Sequence, residues 1–120
     1  MNMVKSIIHV VLFVFTVALV SAQPTRIYNC QSITVPGEYQ VMNSISTTGA
    51  TCIDIQASNV TLQCASQSVN ISGAINAISI GTYAYAISGV SVYGCGATGD
   101  IKILGYANNY TLIGNRVNSG

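Results

Sequence analysis

From residue 51 onward, apolar side chains recur at every second position in short runs, and Gly, Asn or Ser closes each run. The pairs are Ile53 and Ile55, Val60 and Leu62, Val69 and Ile71, Ile78 and Ile80, Val90 and Val92, Ile101 and Ile103, and Tyr110 and Leu112. A period of two places each pair on one side of a strand and the intervening polar residue, such as Asp54, on the other. The gaps at Ser72-Gly73, 94–99 and Gly114-Asn115 hold the residue types that most readily turn a tight corner. Upstream, 28–35 leads into a Pro36-Gly37 turn, Tyr39-Gln40-Val41 reads as a short strand, and 43–49 is polar and turn-prone. Beyond residue 22 no segment shows a helical period with caps, and the richness in Val, Ile, Thr and Tyr favours strands.

One phrase returns. Ser58-Asn59-Val60-Thr61-Leu62 is echoed by Ser88-Gly89-Val90-Ser91-Val92, by Gly99-Asp100-Ile101-Lys102-Ile103 and by Asn108-Asn109-Tyr110-Thr111-Leu112. Such a unit cannot enclose its apolar side alone, but copies stacked on one another share a continuous core. The alternative all-β architecture is a sandwich of antiparallel hairpins. The recurring phrase favours the solenoid.

The residues Cys30, Ile33, Pro36-Gly37, Tyr39, Thr51-Cys52-Ile53-Asp54-Ile55, Ala57-Ser58-Asn59-Val60-Thr61-Leu62 and Cys64 resemble the opening of secreted right-handed parallel β-helix proteins. The segment Asn109-Tyr110-Thr111-Leu112-Ile113-Gly114-Asn115-Arg116-Val117 resembles an ordinary coil of the same pectate-lyase-like superfamily. That superfamily includes pectate lyases, polygalacturonases, alginate epimerases and many surface proteins without known catalysis, so the resemblance speaks for architecture more than for activity. Gln63-Cys64-Ala65-Ser66-Gln67 departs from the Asp/Asn-Gly corner usual in the family. The chain has room for about three coils before Gly120, near the lower limit for a stable stack. It stops after a coil phrase without a capping helix, which reads as a truncated product or one completed by a partner. An uncapped coil also invites self-association.

Residues 1–22 read as a secretory leader. Lys5 supplies the basic start, 7–20 is an apolar run broken only by His9 and Thr16, and Val20-Ser21-Ala22 offers small residues before Gln23-Pro24. The run is shorter than the roughly 20 residues a membrane-spanning helix needs. The predicted fold class is therefore all-β, a short right-handed parallel β-helix after an N-terminal signal helix. Residues 1–22 form the leader, 23–56 a cap segment and 57–120 the coils.

Leader removal simplifies the charge. Arg26, Lys102 and Arg116 balance Glu38, Asp54 and Asp100, and the single histidine is gone. Clustered Lys and Arg, which nucleic-acid binding needs, are missing. Cys30, Cys52, Cys64 and Cys95 remain. In an oxidising compartment an even count reads as two disulfides, and no CxxC pair or mature histidine supports zinc. Four cysteines allow three pairings. Cys30 with Cys52 is expected because it would tie the cap segment to the first alternating strand.

Candidate chemistry is sparse. Glycoside hydrolases need clustered carboxylates, and lyases need acidic calcium ligands with a base. Glu38, Asp54 and Asp100 are far apart in sequence, and Asp54, Asp100 and Lys102 occupy outward strand positions. No catalytic residue, metal ligand or cofactor is assigned. Tyr83, Tyr85, Tyr93, Tyr106 and Tyr110 cluster in the second half, and Tyr83, Tyr85 and Tyr93 are the candidate sugar-stacking residues, because flat rings cover sugar faces and hydroxyls reach polar rims. Tyr83 and Tyr85 would share a face of any strand through 82–86. Asn59, Asn70 and Asn109 open N-glycosylation triplets, although the coil phrase itself accounts for two of them. The expected function is a secreted or cell-surface, non-catalytic β-helix module with a structural, adhesive or glycan-facing role. Its expected partner is a polysaccharide or surface glycan, and it has no nucleic-acid partner and no membrane span after leader cleavage. The alternative is the N-terminal part of a polysaccharide lyase or hydrolase.

Overall fold

The alternating runs fold as strands in a computed structural model that describes residues 23–118. In chain order they are β1 (Thr25–Ile27), β2 (Gln31–Ile33), β3 (Gly37–Val41), β4 (Ile45–Ser46), β5 (Thr51–Ile55), β6 (Val60–Cys64), β7 (Asn70–Ile80), β8 (Ile87–Ser88), β9 (Ser91–Tyr93), β10 (Gly96–Ile103), β11 (Ala107–Asn108), β12 (Thr111–Ile113) and β13 (Arg116–Asn118). Every pairing is parallel. The chain is thus a parallel β-solenoid, and the hairpin sandwich is ruled out. No helix occurs among the described residues. The leader expected over 1–22 lies outside them.

A full turn of the solenoid visits four faces, and the first turns skip one or more of them. The first face stacks β1, β3, β6, β9 and β12. Its column Thr25–Tyr39–Leu62–Val92–Leu112 advances by 14, 23, 30 and then 20 residues, so four unequal turns share one register. The second sheet bends through the next two faces. One part carries the column Ile45–Ile71–Ala97–Val117, and the other carries Ile33–Ile55–Ile80–Ile103 and Ile53–Ile78–Ile101. The fourth face is the short pair β8 and β11. The parallel ladder begins at Thr25, inside the segment expected to be a cap.

The inward columns are the core. Val41, Ile53, Ile55, Val60, Leu62, Ile71, Ile78, Ile80 and Val92 are fully enclosed. Each such side chain contributes roughly 1.5–3 kcal/mol of transfer free energy. The top turn uses the same positions with less cover, leaving Tyr110, Leu112 and Val117 46%, 40% and 49% exposed.

Three copies of the recurring phrase lie in one column, because Thr61, Ser91 and Thr111 are register partners. The fourth copy does not join them. Gly99-Asp100-Ile101-Lys102-Ile103 belongs to β10 on the third face, against Asn76, Ile78, Ser79 and Ile80. The phrase describes a strand leaving a corner, and more than one face of a coil begins that way.

Corners absorb the unequal lengths. Between the second and third faces the chain uses 47–50 in one turn, 73–75 in the next and Gly99 alone in the turn above. Gly99 has φ +102°, and a Cβ there would lie 3.0–3.1 Å from Ile75 O, Ala77 N and Gly73 O. The corner leading back to the first face stacks Asn59, Gly89 and Asn109, with φ of 56°, 74° and 50°. Here the Asn59 side chain fills the space beneath Gly89, and a Cβ at 89 would sit 2.6 Å from Asn59 Oδ1. Gly89→Ala is expected to cost about 1–2 kcal/mol from backbone strain and crowding. Adding Asn59→Gly should recover the crowding part alone, a difference that urea unfolding of the single and double variants would read.

Two disulfides clip neighbouring turns. Cys30 and Cys52 pair as expected, one position before the partners Gln31 and Ile53. Cys64 at the end of β6 pairs with Cys95 just before β10. Their Cα separations of 4.7 and 5.1 Å suit the bond without backbone distortion. Every cysteine in the described residues is used.

Candidate glycan-facing corner

The corner between the third and fourth faces carries the most exposed aromatic surface. Ile55, Ile80 and Ile103 share one column, and Ile87 and Ala107 share the next. Residues 81–86 therefore span this corner in one turn, and 104–106 span it in the turn above. Tyr83 and Tyr85 project from the first loop and Tyr106 from the second, with exposures of 71%, 51% and 58%.

Local chemistry shapes the longer loop. Gly81 starts it with φ +109°. The Thr82 hydroxyl accepts the backbone N–H groups of Ala84 and Tyr85 at 3.1 Å each and donates to the Tyr85 carbonyl at 3.1 Å. Such side-chain bonds offer the backbone an alternative to the ladder. The segment 82–86 is consequently a turn, and the strand in which Tyr83 and Tyr85 would alternate does not form. The Tyr85 hydroxyl donates to the Gln56 carbonyl at 2.7 Å, which pins its ring against the turn below. Gln56 Nε2 in turn donates to Asp54 Oδ2 at 2.6 Å.

The predicted stacking trio is therefore divided. Tyr93 points outward from β9 on the first face, in the column Gln40–Gln63–Tyr93–Ile113. Tyr106, which lacks an alternating neighbour to flag it, takes its place beside Tyr83 and Tyr85. The arrangement offers flat rings and phenolic hydroxyls on a rigid edge, which suits the mixed apolar and polar faces of a sugar.

The ionisable groups are dispersed. Asp54 and Lys102 share the outward column Ser32–Asp54–Ser79–Lys102, two rungs or about 9.5 Å apart. Asp100 stands in the column of Thr51 and Asn76, where an irregular step interrupts the register. Glu38 lies on the first face opposite Thr61, and Arg116 on the second opposite Gly96. Among the described residues, no group of three or more His, Cys, Asp or Glu side chains is placed to hold a metal. A recess of about 630 Å³ opens near the top of the stack, where Asp100, Lys102 and Asn76 rim an apolar floor of Ile101, Leu112 and Val117. It brings together one carboxylate and one ammonium group, not a pair of acids.

The three glycosylation triplets occupy two kinds of place. Asn59 and Asn109 are exposed at the left-handed corner. Asn70 is half-buried at the start of β7, where its Nδ2 donates to Thr98 Oγ1 at 3.0 Å. Comparison with family models, curated proteins and solved structures finds no match to this chain.

Proposed function

We propose that this chain is an extracellular β-solenoid module that faces glycans through its tyrosine corner and does not cleave them. One observation carries the reading: Tyr83, Tyr85 and Tyr106 project from a single corner on successive turns. The Tyr85 hydroxyl is fixed on the Gln56 carbonyl, and a tyrosine has only two side-chain torsions to lose on binding. Two disulfides accord with an oxidising compartment, which supports placement outside the cell. The balanced charge of residues 23–118 favours neutral over highly charged polysaccharides.

Affinity electrophoresis through gels containing neutral or acidic polysaccharides tests this. Retardation by a neutral polymer is expected, and Tyr83→Ala with Tyr106→Ala should weaken it by about tenfold, on the order of two lost ring contacts. Tyr93→Ala should change it less than about twofold, which corresponds to roughly 0.4 kcal/mol. Equal retardation of the double variant, or none by any polymer, would overturn the reading. The competing reading is the N-terminal part of a polysaccharide lyase or hydrolase of the pectate-lyase-like superfamily. It is favoured by Asp54, Asp100 and Lys102 sharing the third face. New reducing ends or unsaturated products in the same incubations, abolished by Asp100→Ala, would decide for it.

A further inference from the structure

N-glycosylation changes only one end of an asparagine side chain. The anomeric carbon of a lipid-diphosphate-linked oligosaccharide moves from phosphate oxygen to Nδ2. The amide gives up one proton, the lipid diphosphate leaves, and Oδ1 stays as it was. A triplet is therefore compatible with a fold only where Nδ2 has open space, whatever Oδ1 touches.

The three triplets differ on this point. At Asn70 the Nδ2 atom is the engaged one, donating to Thr98 Oγ1 across the gap between β7 and β10. Its Oδ1 lies 3.1 Å from where a Cβ on Gly96 would stand, so both ends of the amide face β10 in the turn above. The next residue, Ile71, is fully buried in the column between Ile45 and Ala97. At Asn59 the contact runs the other way: Oδ1 is the atom packed over Gly89, and the residue is exposed. Asn109 is exposed two residues before Thr111, in the same corner column and two rungs above Asn59. These two asparagines belong to one edge of the solenoid, about 10 Å apart along its axis.

We infer that Asn59 and Asn109 are glycan attachment sites and that Asn70 is not. The inference rests on the extracellular reading, since the donor is met only in a glycosylating secretory route. Transfer precedes folding, so a sugar placed on Asn70 would be trapped between β7 and β10 and would keep that ladder from closing. Folded, secreted molecules are then bare at Asn70 and occupied at the other two.

The test uses the full chain in a glycosylating eukaryotic host, once with its own residues 1–22 and once with a leader of the host. Disulfide-bonded protein is deglycosylated in heavy-oxygen water, which converts each occupied asparagine to a mass-labelled aspartate, and chymotryptic peptides are weighed. Label at Asn59 and Asn109 with none at Asn70 is the expected map. Thr111→Val should remove the label at Asn109 alone. Asn70→Gln should leave the number of glycans unchanged while lowering the melting temperature. Label at Asn70 in folded protein, or bare Asn59 and Asn109 in protein exported by the host leader, would overturn the assignment. Retention of the own-leader version inside the cell, beside the expected map from the host-leader version, would sink the extracellular reading and leave the site assignment intact.

Discussion

Replacing Cys64 and Cys95 together with alanine is expected to lower the stability by about 3.7 kcal/mol, the value loop closure gives for a separation of 31 residues. In a domain of this size that corresponds to a drop of roughly 15–25 °C in melting temperature. The bond joins β6 to the start of β10, so it fastens the middle of the stack, where the longest turn of 30 residues must close. Cys30–Cys52 closes 22 residues and contributes about 3.4 kcal/mol by the same relation. Removing both approaches the whole 5–15 kcal/mol stability of a typical domain. Full reduction should therefore leave little folded protein at 37 °C. Circular dichroism melts with and without reductant would check this, and coincident curves would show that the stack holds without its clips.

A second large effect concerns where in the column a side chain stands. Ile78 is fully enclosed between Ile53 below and Ile101 above. Truncation to alanine leaves a cavity that rigid neighbours on both sides cannot fill, and about 4 kcal/mol should be lost. Val117 ends its column and is 49% exposed, so Val117→Ala should cost under about 1 kcal/mol. Denaturant unfolding of the two variants measures the contrast. Similar losses would mean that the top turn is covered as deeply as the middle, contrary to stacking as described.

Much of this architecture was legible because the rule that builds it is local. A strand with one enclosed side must alternate, and Val60, Leu62, Ile78, Ile80, Val90 and Val92 do so and are buried. The partner of Cys30 was reachable because Cys52 sits in the first recognisable alternating strand, to which the entry segment had to be tied. Other features were not. The phrase at Gly99 looks like the phrase at Asn59, yet alternation carries no label for the face it occupies. Residues 70–80 form one bent strand although Ser72-Gly73 resembles a break, since 73–75 make the corner as a bulge and the ladder resumes at Asn76. Any strand through 82–86 would put Tyr83 and Tyr85 on one face, but the Thr82 hydroxyl captures three local backbone groups and no strand forms. The tyrosine corner depends on how many residues separate Ile80 from Ile87 and Ile103 from Ala107, a comparison that requires the register. That Tyr106 shares a corner with Tyr83 and Tyr85 could have been found only by that alignment.

The hydrogen bonds between turns all run along the axis of the stack, because every strand pairs in parallel with the turn above or below. Tension applied at the two ends of the described chain would peel the rungs one at a time and not shear them together. The two clips change what such a pull releases. The loops closed by Cys30–Cys52 and Cys64–Cys95 span 22 and 31 residues and cannot lengthen while the bonds last. Under such a pull the chain would pay out only as far as these two bonds allow.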